Sequence, residues 1–104
     1  MNLYPTEEQL ARLEKWDFQK EFVEDFLDEI ERFWNWPDWG FIRKGKKVIQ
    51  LELHTGGWSG NEDIIRAIHQ NFIFWSMCWV KSTRGGHYWF EIKLKHFNRN
   101  RKTP

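Results

Sequence analysis

Little in this chain suggests a secreted, membrane-spanning or metal-built protein. There is one cysteine, Cys78, so an internal disulfide is excluded. Cys78 sits in an apolar run, which points to a buried free thiol and a reducing, cytoplasmic setting. No apolar run approaches the ~20 residues that a membrane helix needs; the longest, Phe72–Val80, is broken by Ser76. No basic-then-apolar start resembles a secretory signal. The four histidines lack ligand spacing, and no acidic cluster looks like a calcium loop, so no metal and no cofactor is expected. Net charge is nearly absent too, at +1, which leaves out the strong basic footprint of a dedicated nucleic-acid binder.

What is abundant is aromatic side chain. Eight Trp and nine Phe in 104 residues supply enough apolar area for one core, and the length leaves no room for two. So many Trp are expected to be mostly buried, with helices on both faces of a sheet. The small net charge also hides an asymmetry. Residues 1–36 hold ten acids and four bases, and the remainder holds five acids and twelve bases. Opposite halves of this kind pair internally or present two distinct surfaces.

The expected fold is α+β: two N-terminal helices, then a four-stranded antiparallel ββαββ sheet domain, all within a single domain spanning 1–104. Thr6-Glu7-Glu8-Gln9 reads as a capping box opening a helix over about 6–15. Asp17 caps a second helix over 17–35. Its Phe18, Phe22, Phe26, Ile30, Phe33 and Trp34 recur at helical spacing, and Pro37 ends it. From Trp39 the period becomes two, with strands at Trp39–Arg43 and Lys47–His54 about a Lys44–Lys46 turn. Ser59-Gly60-Asn61-Glu62 reads as another capping box for a helix to about Gln70. Phe72–Lys81 reads as a central strand, turned by Gly85-Gly86 into His87–Lys95; the basic tail 98–104 follows. The ββαββ unit thus covers about 39–95.

Topology then selects a site. A helix starting where one strand ends must return along the sheet, so the next strand finishes beside that same loop. The loops His54–Gly60 and Ser82–His87 therefore crown one end of the sheet. That end gathers Trp58, Ser59, Asn61, Lys81, Arg84, Gly85, Gly86 and His87 as candidate ligand- or partner-binding residues. Arg84 suits phosphate or carboxylate, and Trp58 is more than turn chemistry requires. His54 and His87 are the lower-ranked acid/base candidates for a metal-independent phosphodiesterase. A competing surface is the acidic helix face of Glu21, Glu24, Asp25, Asp28 and Glu31, suited to a basic channel on a partner. Nucleic-acid binding draws on Lys93, Lys95, Arg99, Arg101 and Lys102, with Trp89 and Trp75 or Trp79 for stacking.

The segment His54-Thr-Gly-Gly-Trp-Ser-Gly-Asn-Glu-Asp-Ile-Ile, with Phe74-Trp75, Trp79, Ser82 and Arg84-Gly-Gly-His-Tyr, resembles small uncharacterised proteins encoded by bacteriophages and prophages. The likeness covers roughly 48–94. It implies a viral accessory role in a bacterial cytoplasm, with a host or phage protein as partner, and carries over no functional residues. Small phage proteins include inhibitors of host defence, some of them acidic mimics of nucleic acid. The leading expectation is accordingly a non-enzymatic protein-binding accessory protein. The alternatives are a nucleotide- or nucleic-acid-binding module at the glycine loops, or a His-dependent phosphodiesterase.

Overall fold

The computed structural model describes residues 4–97; the part of the basic tail at 98–104 lies outside them. The chain is mixed helix and strand, with helices α1 (Glu7–Glu14), α2 (Val23–Phe33), α3 (Pro37–Gly40), α4 (Ser59–Gln70) and α5 (Phe72–Cys78). Its four strands are β1 (Phe41–Lys44), β2 (Val48–His54), β3 (Trp79–Thr83) and β4 (His87–Lys93). They form one antiparallel sheet in the order β1-β2-β4-β3. The expected strand pairs are therefore present, with two helices rather than one between them.

Local chemistry accounts for most boundaries. Both halves of the Thr6–Gln9 capping box form, at 3.0 and 2.8 Å. Residues 17–21 make a turn rather than the first part of α2. The Asp17 carboxylate accepts from the Gln19 amide, and its carbonyl accepts from Lys20 and Glu21. Phe18 still reaches the core from that turn, edge-on to Phe26. From Val23 the stripe Val23, Phe26, Leu27 and Ile30 is fully buried. The helix stops at Phe33, ahead of Pro37, and Pro37 opens α3 at a position where its missing N–H costs nothing. Trp39 consequently belongs to α3, and β1 begins at Phe41. At the far end β4 stops at Lys93, and Leu94–His96 form a 3-10 turn.

The largest departure is Phe72–Cys78, expected as strand and found as helix. Asn71 explains it. Its side chain accepts from the Phe74 amide at 3.2 Å, which is helix N-capping, and its amide donates to the carbonyls of Leu13 and Trp16. Phe74 and Cys78, four apart, then face the core, while Phe72, Ile73 and Met77 face out. Only Trp79–Thr83 remain strand, and they form a sheet edge rather than its centre.

All the helical packing is on one face of the sheet, against Phe41, Ile49, Leu51, Leu53, Phe90 and Ile92. The other face carries Gln50, Glu52 and His54 from β2 with His87, Trp89 and Glu91 from β4, and among the described residues no helix covers it. The expectation of helices on both faces, and of mostly buried Trp, is thereby corrected. Trp16 and Trp34 are buried, whereas Trp36, Trp39 and Trp79 are exposed and Trp58, Trp75 and Trp89 half-buried.

Cys78 is buried and free, and its removal from water pushes the thiol pKa up from 9.0 to about 12. The folded thiol stays neutral where the unfolded one ionises, so above about pH 9 the unfolded state holds fewer protons. This contribution to stability is complete below that pH and is lost as pH rises towards the folded value. Denaturant midpoints should therefore fall between about pH 8 and pH 10.5. The fall should be smaller in Cys78→Val, which measures the contribution directly.

Candidate functional site

The two glycine loops do meet. His54 pairs with His87 across β2 and β4, and the Thr55 amide donates to the Gly86 carbonyl at 2.9 Å. Gly86 has a φ of 83°, and a Cβ on it would overlap Thr55 Oγ1, so glycine is required twice over. The intervening α5 leaves this arrangement intact, because β3 still runs antiparallel to β4 and turns back at this end. The segment 34–40 joins the same end, since Phe41 pairs with Leu53 and the Trp39 ring lies over Gly56.

Asn61 holds this end together from within. It is buried, its Oδ1 accepts from the Asn35 amide at 2.8 Å, and its amide donates to the carbonyls of Asn35 and Thr55. Its side chain, placed by the sequence among the candidate binding residues, is therefore engaged by backbone. Ser59 is exposed, with its hydroxyl 3.4 Å from that of Tyr4. It does not cap: α4 starts at Ser59 with Trp58 as its N-cap residue and no side-chain cap, so the second expected capping box is absent.

Trp58 anchors an aromatic group that the sequence did not disclose. Tyr4 stacks on it at 4.7 Å between ring centres, and Trp36 meets it edge-on at 5.6 Å. Trp36 achieves this from a left-handed backbone, φ 60° and ψ 57°, an outlier for so bulky a residue. Tyr4, Trp36 and Trp39 are respectively 51, 47 and 52% exposed. The available signal was the run Trp34-Asn-Trp-Pro-Asp-Trp-Gly40, too rich in Trp for a simple connection.

On the adjoining open sheet face lie the polar candidates. His54 Nδ1 and His87 Nδ1 are 2.7 Å apart, and His54 Nε2 is 3.4 Å from Glu52 Oε1. The Lys81 ammonium stands 4.6 Å over the Trp89 ring, and Trp89 lies edge-on to His54 at 5.9 Å. Thr83 pairs with His87, and Arg84 follows in the exposed turn with Gly85. Among the described residues no group of three or more His, Cys, Asp or Glu is placed to hold a metal ion.

The acidic helix face is partly occupied by the chain's own bases. Arg12 contacts Glu21 at 3.1 Å and Glu29 at 3.6 Å, while Arg43 bonds Asp28 at 2.6 Å. Glu24, Asp25 and Glu31 complete the face. A second apolar area lies on α5 and β3, where Phe72, Ile73, Met77 and Val80 are exposed. Among the described residues no helix is long and apolar enough to cross a membrane. Comparison with protein-family models, curated proteins and solved structures finds no match for this chain.

Proposed function

We propose that this protein is a non-enzymatic accessory protein that binds another protein through the glycine-loop end of its sheet. One observation carries the reading: Tyr4 and Trp36 stand half-exposed against Trp58, with Trp39 half-exposed over neighbouring Gly56, on a rim that the Asn61 hydrogen bonds hold in place. Grouped tryptophans supply large contact area at little entropic cost and dominate measured interface energies. Lys81 and Arg84 lie on the neighbouring strand and turn, so the complementary partner has an apolar cleft with an acidic rim. The phage resemblance makes a host or phage protein the partner, and a host-defence factor is the specific version of that proposal.

The acidic face of α2 is the second reading, favoured by the charge asymmetry of the chain. Its ion pairs to Arg12 and Arg43 weigh against it, because a partner would compete with groups already engaged. Two variants separate the readings in co-purification from infected or prophage-bearing cells. Trp36→Ala with Trp39→Ala should lose the partner, at a cost of at least tenfold in affinity for two such contacts, about 1.4 kcal/mol or more. Glu24→Lys with Asp25→Lys and Asp28→Lys should retain it. The reverse pattern would assign binding to α2.

A further inference from the structure

The proposed docking rim leaves the histidine pair unexplained. Its geometry first excludes a chelate. The ring centres are 4.9 Å apart and the Nδ1 atoms 2.7 Å, so nearly all the difference is ring radius and the nitrogens meet head-on. Lone pairs that bind one metal ion converge on it at an angle; a head-on pair shares one proton. One ring donates from Nδ1 and the other accepts.

Glu52 decides which. Its carboxylate accepts only, so the His54 Nε2 facing it carries the proton. His54 Nδ1 is then the acceptor, and His87 donates from its own Nδ1. That leaves His87 Nε2 unprotonated at the outer end of the chain. Gly85 keeps the ring edge beside this nitrogen clear: a Cβ there would crowd Nε2 and Cδ2 at 3.2 and 3.4 Å. On the same face Thr83 pairs with His87, and Lys81 is opposite the neighbouring Trp89, with Arg84 beginning the turn. A fixed acceptor on a strand whose partner strand and turn carry Lys81, Thr83 and Arg84 suits an anion that still carries a proton.

We propose that Glu52, His54 and His87 form a tautomer-fixing relay that makes His87 Nε2 the hydrogen-bond acceptor of a site for a protonated phosphate group, flanked by Lys81 and Arg84. Glu52 and His54 are positioning residues; only His87 touches the ligand. Sulfate has the same shape and no proton to donate at neutral pH, so this site discriminates against it. Free phosphate keeps a proton throughout the neutral range, whereas a phosphate on a protein side chain loses its last one at about pH 6, so the free anion is the ligand this chemistry favours.

Long-range nitrogen–proton NMR at about pH 8, above the ordinary imidazole range, reads the tautomers directly. The wild type should hold His54 as the Nε2–H form and His87 as the Nδ1–H form. Sodium phosphate should shift His87 Nε2 at concentrations about tenfold lower than sodium sulfate, the worth of one hydrogen bond made rather than one repulsion. A phosphoserine peptide, largely the proton-free dianion at this pH, should shift His87 no more readily than sulfate does; a response as strong as that to phosphate overturns the proposal. Glu52→Leu, on the open face, should mix the tautomers and remove the preference over sulfate. Glu52→Gln, whose amide oxygen still accepts from His54, should restore both. An Nε2–H form of His87 in the wild type overturns the proposal. So does equal response to phosphate and sulfate, or no response to either.

Discussion

Replacing Asn61 by leucine should lower the melting temperature by about 10–20 °C, although the side chains are similar in size and leucine suits a helix better. The loss comes from three hydrogen bonds that the amide makes to the backbone of Asn35 and Thr55. The Asn35 groups have no strand partner to fall back on, since Asn35 precedes α3, whereas the Thr55 carbonyl keeps its bond from the Trp58 amide at 3.0 Å. Stranding the Asn35 amide and carbonyl in a site where Asn61 is only 1% exposed costs about 3 kcal/mol, allowing for partial recovery of water there. Asn61→Asp separates the parts, keeping the acceptor for the Asn35 amide and losing the donor to both carbonyls. It should melt no higher than leucine, because an acceptor oxygen then faces both carbonyls in a site closed to water. Thermal melts by circular dichroism decide the matter, and a leucine variant as stable as wild type would remove Asn61 from the account.

Phe74→Ala should cost about 3–5 kcal/mol, enough to leave a domain of this size largely unfolded at 37 °C if its stability lies at the low end of the usual 5–15 kcal/mol. Phe74 is fully buried at the meeting point of three elements. Its ring lies 4.8 Å from Phe26 of α2, 5.4 Å from Phe90 of β4 and 6.3 Å from Phe18. Rings on three separate segments cannot collapse together into the space one of them leaves. The neighbouring Phe72 is the control that separates helix from strand. In a strand it would share the inward side of Phe74; in α5 it is 77% exposed. Phe72→Ala should accordingly change stability by less than about 0.5 kcal/mol in urea denaturation. Equal losses at 72 and 74 would restore the strand.

Those two positions also mark what was legible beforehand. Period-two alternation in β2 and β4 was readable because one face is buried and the other polar, so His54 and His87 were placed at the same end correctly. The Thr6–Gln9 box was readable because both side chains reach backbone within one turn. Phe72–Cys78 was not, because aromatic and β-branched residues carry strand propensity, and the one helix signal, Asn71 as N-cap, looked like a two-element link. Ser59-Gly60-Asn61-Glu62 misled in the opposite direction. It matches a capping box, but the helix begins one residue early and Asn61 is drawn inward by Asn35, 26 positions away. Tertiary contacts at that distance leave no trace in local spacing. The open sheet face was hidden for a related reason, since Trp89 is kept half-covered by Lys81 and His54 rather than by a helix.

The claim that the glycine-loop end is the docking surface is tested most directly by mapping contacts in the cell. A photo-crosslinking amino acid placed singly at positions 36, 39, 24 and 72 samples the aromatic rim, the acidic helix and the α5 patch in one experiment. The account predicts one adduct of the same mass from positions 36 and 39 and none from 24 or 72. An adduct confined to position 24 or 72, or none from 36 and 39, would contradict it.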